Sequence, residues 1–282
     1  MAEVHLAISH GASGFERKVA IKLLAPELAG DADLERALVH EATLGGTLHH
    51  RNLVSVLGLG IHEGAYYVVL EYLDGGDLAT ALRRRVMPEA LALHVLHELA
   101  LGLSYLHAAR DPRGLPLGIV HRDVAPANVL VSSTGDVKLG DLGVAKLTAL
   151  ADRTAAGTRK GRFAYMAPEQ LAGEPVTAAV DQFGLGVTLV ELITGHRPFA
   201  GQDRGDPPWQ LLEELRAPPA LDGLADDLQG IVLRALAFAA EDRFPSIHEL
   251  RLAVAAAQRL REPAGPLELA RWMATAERGS GL

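Results

Sequence analysis

The chain has 282 residues, of which 49% are hydrophobic, and its net charge is −8 with neutral histidine. This length can bury a large core, whereas the negative charge argues against nucleic acid or an anionic membrane as the main partner. The chain has no cysteine, which excludes disulfides, thiolate catalysis and cysteine-ligated zinc. It also has neither a signal segment nor an apolar run of about 18 residues, so we expect a soluble, cytoplasmic protein.

Strands dominate the first part of the chain. Alternating apolar residues predict strands over Glu3–Ser9 and Lys18–Leu24, and a second strand pair over 54–61 and 65–72. Between the two pairs, 33–48 has the apolar spacing of a helix. A stretch with paired glycines, LDGGD at 73–77, then predicts a boundary between lobes.

Helices dominate the second part. A long helix is predicted over Glu89–His107, a small hairpin from strands 129–131 and 137–139, and further helices beyond Val180. We therefore predict an α+β, bilobal chain with a small β-rich N-lobe at 1–72, a larger and mainly helical C-lobe at 73–262, and a C-terminal tail at 263–282. The tail contains a Leu/Trp amphipathic stretch, which fits either packing on the large lobe or a linker.

Three short segments carry the chemistry. Lys22 lies in the strand segment VAIK among apolar neighbours, which suggests that it is held for an anion. HRDVAPANVLV (121–131) and KLGDLGVA (138–145) place Asn128 and Asp141, with Asp123 as a further carboxylate, beside apolar strand residues. Such oxygen ligands suit Mg²⁺, which commonly bridges to substrate phosphates, and the pattern points to phosphoryl transfer.

These motifs together resemble the eukaryotic-like protein kinase catalytic domain, of the serine/threonine type found in bacteria. The resemblance covers about residues 1–260 and rests on an ordered set of motifs: VAIK (19–22), HRDxxxxN (121–128), DLG (141–143), APE (167–169) and DQFGLG (181–186). Each motif alone is weak, but the ordered set is specific. The resemblance implies a kinase fold whose first strand is missing from this sequence.

The resemblance implies ATP and Mg²⁺ as cofactors. Lys22 would hold the α- and β-phosphates and pair with Glu41. Val4, Ala20 and Leu130 would enclose the adenine ring, with Leu70 as the gatekeeper. The backbone of Glu71 and Leu73 would bond the adenine edge, and Asp77 would bond the ribose.

The resemblance also assigns the catalytic groups. Asp123 would orient the substrate hydroxyl and accept its proton, while Asn128 and Asp141 would bind Mg²⁺. Glu169 would pair with Arg243 as a structural clamp, and Asp181 would cap backbone amides below the catalytic loop.

The sequence departs from the family pattern at its start. Val4 matches the valine of the glycine-rich loop and Ala2 its last small residue, so the two leading glycines are not in the sequence as written. The family uses their backbone N–H groups to cover the phosphates. We expect a weakened N-lobe edge and weaker ATP binding as written, with a start assigned too late as the alternative explanation.

Two further departures concern charge. Ala125 and Ala127 occupy the positions where serine/threonine or tyrosine kinases carry a cation, and losing one such electrostatic donor costs about 10²–10³ in rate. Arg162 stands where serine/threonine kinases usually have threonine. We infer that Arg162 supplies the lost cation near Asp123; a basic residue that contacts the substrate or the activation loop is the alternative.

Thr154 and Thr158 lie between DLG and APE, where activation-loop phosphorylation occurs in the family, and Arg122 is the basic partner that such a phosphate needs. The two threonines are equal candidates for regulation by autophosphorylation.

The sequence therefore predicts a kinase that transfers the γ-phosphoryl group of Mg-ATP to Ser or Thr hydroxyls of protein substrates, with reduced activity as written. The alternative is a pseudokinase that acts as a nucleotide-binding or scaffolding module. A small-molecule kinase of related fold is disfavoured by the APE segment. Nucleic acid is not expected as a partner, and oligomeric state is left open.

Overall fold

The computed structural model describes residues 2–25, 28, 30–142, 162–199, 207–217, 219 and 221–278. These residues form a small lobe, made of an antiparallel sheet and one helix, and a larger lobe that is mainly helical.

The small lobe is built on four antiparallel strands in the order β1-β2-β4-β3: β1 (Ala2–His10), β2 (Glu16–Leu24), β3 (Val56–His62) and β4 (Ala65–Glu71). The register places Val4 opposite Lys22 and Lys22 opposite Val68. Side chains directly opposite each other in an antiparallel pair lie on the same face of the sheet. Lys22 therefore shares a face with apolar neighbours on both sides.

Helix α1 (Ala32–Gly45) covers this face. Its first turn is capped by Asp31, whose carboxylate accepts hydrogen bonds from the backbone N–H groups of Asp33 and Leu34, as expected for an N-cap. Leu38 and Ala42 of α1 form a buried cluster with Val68 of β4. Because this contact fixes α1 on the face that carries Lys22, Glu41, which lies between these two residues, can reach that lysine.

The end of α1 differs from the prediction, since the helix stops at Gly45 and not at residue 48. A β-carbon at Gly45 would lie 2.6 Å from Cγ2 of Val56 in β3. The glycine therefore permits a close approach between helix and strand, and this tertiary contact overrides the apolar spacing that extends to Leu48.

The large lobe contains a two-stranded hairpin of β5 (Val129–Val131) and β6 (Val137–Leu139). Its helices are α2 (Leu78–Leu82), α3 (Glu89–His107), α4 (Pro168–Ala172), α5 (Ala179–Thr194), α6 (Pro208–Glu214), α7 (Asp226–Ala235), α8 (Ile247–Gln258) and α9 (Pro266–Arg278). The main core is formed chiefly by α3 and α5, and both strands of the hairpin contribute buried valines to it.

The bounds of α3, β5 and β6 agree with the sequence prediction. The C-terminal stretch forms α9 and packs on the large lobe, so the linker alternative does not apply to its described residues. The proposed limits of the N-lobe, C-lobe and tail stay a prediction. In the part of the chain that the structure describes, none of the helices has the length and apolarity needed to span a bilayer.

A buried ion pair joins α4 to the segment before α8. The side chain of Arg243 is fully buried, and its guanidinium donates to both carboxylate oxygens of Glu169, at 2.7 and 2.9 Å. Arg243 also donates to the backbone carbonyl oxygens of Ala179, Ala237 and Phe238. The pairing expected from the APE segment is thus present, with the remaining donors of the arginine satisfied by backbone.

We expect Glu169→Gln to lower the free energy of unfolding by about 3 kcal/mol, because the substitution leaves a buried guanidinium without its countercharge. Urea unfolding measures this difference. The exposed Glu174→Gln serves as the control and should change stability by less than about 0.5 kcal/mol. Equal effects of the two substitutions would show that the clamp does not stabilise the fold.

Candidate active site

A cavity of about 240 Å³ lies between the sheet of the small lobe and the β5–β6 hairpin. Most of the residues predicted to bind the nucleotide line it: Val4, Ala20, Lys22, Glu41, Leu70, Glu71, Asp77, Asn128, Leu130 and Asp141. Of the described residues, Leu73 and Asp123 are predicted site residues that do not line this cavity. Apolar walls with a few convergent polar groups are typical of a small-molecule site.

Lys22 is the centre of the polar side of the cavity. Its ammonium group donates to Oε1 of Glu41 at 2.7 Å and to Oδ1 of Asp141 at 2.8 Å. The residue is 8% exposed. Burial alone would lower the pKa of Lys22, but the carboxylates of Asp141 and Glu41 outweigh it and raise the pKa above its ordinary value. The lysine is therefore held in its charged form.

The predicted catalytic loop places Asp123 beside Asn128. The side-chain amide of Asn128 donates to the backbone carbonyl of Asp123 at 2.7 Å and to its carboxylate at 2.5 Å. Since the nitrogen of this amide is used in these bonds, the group offers its oxygen to a cation. Asn128 is the last residue of a short 3₁₀ turn that starts at Pro126 and leads directly into β5.

The loop is anchored from below by Asp181 of α5. The side chain of Asp181 is fully buried and accepts hydrogen bonds from the backbone N–H groups of His121 (2.9 Å) and Arg122 (2.7 Å). Arg122 has a φ of 67°, in the left-handed region that bulky residues rarely adopt. Two hydrogen bonds donated to one carboxylate hold this strained backbone and thereby fix the direction of the loop toward Asp123.

The segment that carries Asp141 is held in a similar way. Asp141 has a φ of 56°, and its neighbour Gly140 accepts a hydrogen bond at 3.0 Å from the ring of the buried His121. Leu142 packs beside Gly45 at the end of α1, with its Cδ1 at 3.7 Å from a β-carbon built on that glycine. Asp141 consequently faces Lys22, while Leu142 faces the helix that carries Glu41.

Asp77, predicted as the ribose ligand, stands at the start of α2. Its carboxylate accepts hydrogen bonds from the backbone N–H and the hydroxyl of Thr80, both at 2.8 Å, and so caps the helix. Leu130 pairs with Asp77 in an isolated bridge. Two residues that line the cavity, Asp77 and Leu130, are therefore joined through their backbones.

The contacts of the Glu71 side chain were not predicted from the sequence. Its Oε1 accepts hydrogen bonds from Lys138 of β6 at 2.8 Å and from the backbone N–H of Ser55 at 2.6 Å. Burial raises the pKa of Glu71, but these hydrogen bonds outweigh it and hold the pKa below its ordinary value. The hydrogen bond between Glu71 and Lys138 connects the end of β4, at the cavity, to the hairpin of the large lobe. The only signal in the sequence is a lysine inside a short apolar strand.

Several predicted features lie outside the described residues. Thr154 and Thr158 are among them, as is the side chain of Arg162, whose backbone begins a short 3₁₀ turn. Ala125 is described and is 6% exposed, and its methyl group provides no charge to the loop. The proposed replacement of that charge by Arg162 stays a prediction.

The donor set fits a small divalent cation. Asn128 and Asp141 both line the cavity, and Mg²⁺ prefers a few hard oxygen ligands, such as their side-chain oxygens, together with water and phosphate.

The comparison with protein families agrees with this geometry. The protein kinase domain family matches residues 2–248, which is most of the chain. The chain therefore belongs to the protein kinase domain family.

Relatives with established names include Tyrosine-protein kinase MasK of Myxococcus xanthus, 41% identical over 87% of this chain and 39% of that protein. Serine/threonine-protein kinase PknB of Mycobacterium leprae is 34% identical over 89% of this chain and 40% of its own length. Serine/threonine-protein kinase PknJ of Mycobacterium tuberculosis is 35% identical, with 86% and 41% covered. The chain thus spans 39–41% of the length of these relatives.

Among solved structures, the kinase domain of Mycobacterium tuberculosis PknI is similar, with a TM-score of 0.66 and 29% identity over 91% of this chain and 90% of that one. The predicted family and the predicted bilobal α+β fold are confirmed.

We expect Glu71 and Lys138 to be energetically coupled. In a double-mutant cycle of Glu71→Gln and Lys138→Met, urea unfolding should give a coupling energy of about 0.5–3 kcal/mol, because both side chains are 18% exposed and share a hydrogen bond. Pairing Glu71→Gln with Arg113→Met, which removes an exposed cation in the loop after α3, provides the control cycle. A coupling energy near zero for Lys138 would mean that the pair does not join the two lobes.

Proposed function

We propose that this domain is a protein serine/threonine kinase that transfers the γ-phosphoryl group of ATP to a hydroxyl of a protein substrate. The observation that carries the proposal is the contact of Lys22 with two carboxylates, at 2.7 Å from Glu41 and 2.8 Å from Asp141, across 19 and 119 residues of sequence. A buried, charged lysine beside an apolar cavity is suited to the phosphates of a nucleotide.

The proposed binding roles follow from the cavity walls. Val4, Ala20 and Leu130 would pack on the two faces of the purine, and Leu70 would limit the depth of the site. The backbone of Glu71 and Leu73 would bond the purine edge, and Asp77 the ribose. These assignments are supported by the lining of the cavity, except that of Leu73, which rests on the family resemblance.

The proposed transfer step uses Asp123 as the group that orients the acceptor hydroxyl and accepts its proton. Asn128 holds the Asp123 carboxylate through its amide nitrogen and, with Asp141, would ligate Mg²⁺ through oxygen. The chemistry that Mg²⁺ would supply when held by these two residues is neutralisation of the negative charge on the phosphates. Lys22 would keep the phosphates in place, and Glu41 would keep Lys22 in place.

The choice of acceptor is part of the proposal. Relatives named as serine/threonine kinases and one named as a tyrosine kinase both match the chain. We favour Ser and Thr because most of the catalytic motifs resemble that type, although Ala125 removes the lysine on which the distinction usually rests.

A second candidate is a pseudokinase that binds a nucleotide or a partner without transfer. Ala125 is the observation that favours it, because the loop beside Asp123 carries no cation at this position or at Ala127. Against it stands the full set of Lys22, Glu41, Asp123, Asn128 and Asp141. A module that performs no chemistry does not need all five.

Thermal unfolding with and without Mg-ATP, followed by transfer of labelled γ-phosphate to the protein or a generic acceptor, tests the proposal. We expect Mg²⁺-dependent stabilisation, transfer to Ser or Thr in hydrolysed product, and loss of transfer in Asp123→Asn, with the exposed Asp222→Asn as control. Stabilisation without transfer would favour the pseudokinase, and label on Tyr alone would correct the acceptor.

We further propose that Arg162 supplies the cation that Ala125 lacks. Arg162→Ala should then lower kcat by a further factor of about 10²–10³, since a preorganised charge near the transferring group is lost. The exposed Arg113→Ala serves as the control, and initial rates at saturating Mg-ATP provide the measurement. An unchanged kcat in Arg162→Ala would exclude this role.

A further inference from the structure

Helix α9 lies beyond residues 2–248, the part of the chain that matches the protein kinase family. One side of the helix is nearly inaccessible, with exposures of 4% or less at Leu269, Trp272, Met273 and Ala276. Leu267 on the opposite side is 57% exposed. The helix is therefore an integral part of the large lobe, although it lies outside the family match.

The first residue of α9 abuts the turn between β5 and β6. A β-carbon built on Gly135 in this turn would lie 1.8 Å from the carbonyl oxygen of Pro266. In the same turn, Ser133 donates from its backbone N–H and from its hydroxyl to the carboxylate of Asp74, both at 2.7 Å. Asp74 belongs to the segment that follows β4, close to the proposed purine edge. The start of α9 thus contacts the turn that holds this segment.

The other half of α9 contacts the end of α2. The guanidinium of Arg84 donates to the carbonyl oxygen of Ala276 at 2.5 Å, and the guanidinium of Arg85 lies 5.1 Å from the ring centre of Trp272. Both arginines directly follow the short helix that Asp77 caps. Cation–π and carbonyl contacts of this kind stabilise a helix end.

We propose that α9 is a positioning element of the nucleotide site, which holds the β5–β6 turn with its first residue and α2 with its second half. Docking of α9 raises the affinity for nucleotide without placing any group on the reacting atoms. The inference rests on the proposed function, since it concerns the same cavity. By thermodynamic reciprocity, bound nucleotide must stabilise the docked helix to the same extent.

The glycines of the chain provide a matched pair for the test. Gly135 and Gly114 have φ values of +88° and +83°, so alanine incurs the same kind of backbone strain at both. A β-carbon at Gly114 meets no atom within 4 Å, whereas one at Gly135 meets Pro266. Gly135→Ala should weaken Mg-ATP binding by about 2- to 30-fold, with kcat within about twofold of the unsubstituted protein. Gly114→Ala should leave the affinity unchanged.

A second pair uses α9 itself and covers the case in which Gly135→Ala fails to fold. Leu269→Ala, on the buried face, should weaken Mg-ATP binding, and Leu267→Ala, on the exposed face, should not. Hydrogen exchange gives a readout that is independent of catalysis, because Mg-ATP should slow exchange of the α9 amides in the unsubstituted protein.

The outcomes separate this inference from the proposed function. If the unsubstituted protein binds Mg-ATP, but both variants of each pair bind it equally and α9 exchange is unaffected, the positioning role of α9 is wrong and the nucleotide site stands. If the unsubstituted protein does not bind Mg-ATP, the proposed function fails first and the role of α9 fails with it. Weaker Mg-ATP binding in Gly135→Ala than in Gly114→Ala, or in Leu269→Ala than in Leu267→Ala, supports the inference.

Discussion

The structure of the site depends on a single buried cation, Lys22, held between the carboxylates of Glu41 and Asp141. Three charges in this arrangement leave a net negative charge on the polar side of the cavity. A triphosphate would add more negative charge, and a divalent cation ligated by Asp141 and Asn128 would offset it. This net negative charge would favour a divalent cation, and the cation would in turn favour the triphosphate.

Each partner of Lys22 is delivered by a different part of the fold. The antiparallel register and the α1–Val68 contact bring Glu41 to the lysine, whereas Asp141 depends on His121 and on the end of the β5–β6 hairpin. Asp181, in the core of the large lobe, holds the backbone below the catalytic loop through two hydrogen bonds. The hydrogen bond between Glu71 and Lys138 is one of the contacts that hold the small lobe against the hairpin.

The helices and strands that were predicted with their observed bounds are those whose sequence signals are local. The helix over Glu89–His107 and the two strands of the hairpin have the predicted bounds, and the resemblance to the kinase motifs identified Glu41 and Asp141, which contact Lys22. The end of α1 was predicted three residues too late, because apolar spacing alone extends to Leu48 whereas the helix stops at the Gly45–Gly46 pair. The partners of Glu71 and the surface covered by Trp272 were missed for a different reason: periodicity indicates that a face is buried, but not what buries it.

In the proposed mechanism, binding and transfer depend on different residues of this chain. The groups that would bind the nucleotide surround the described cavity, and the contacts of Lys22 preorganise them without any ligand. The group that normally balances the charge of the transferring phosphoryl is absent at Ala125, which is buried and apolar. Preorganised charge acts mainly on the rate, whereas apolar enclosure acts mainly on affinity, so we propose that this site favours nucleotide binding over fast transfer. On the same proposal, the charge of Arg162 near Asp123 would restore part of the transfer rate that Ala125 costs.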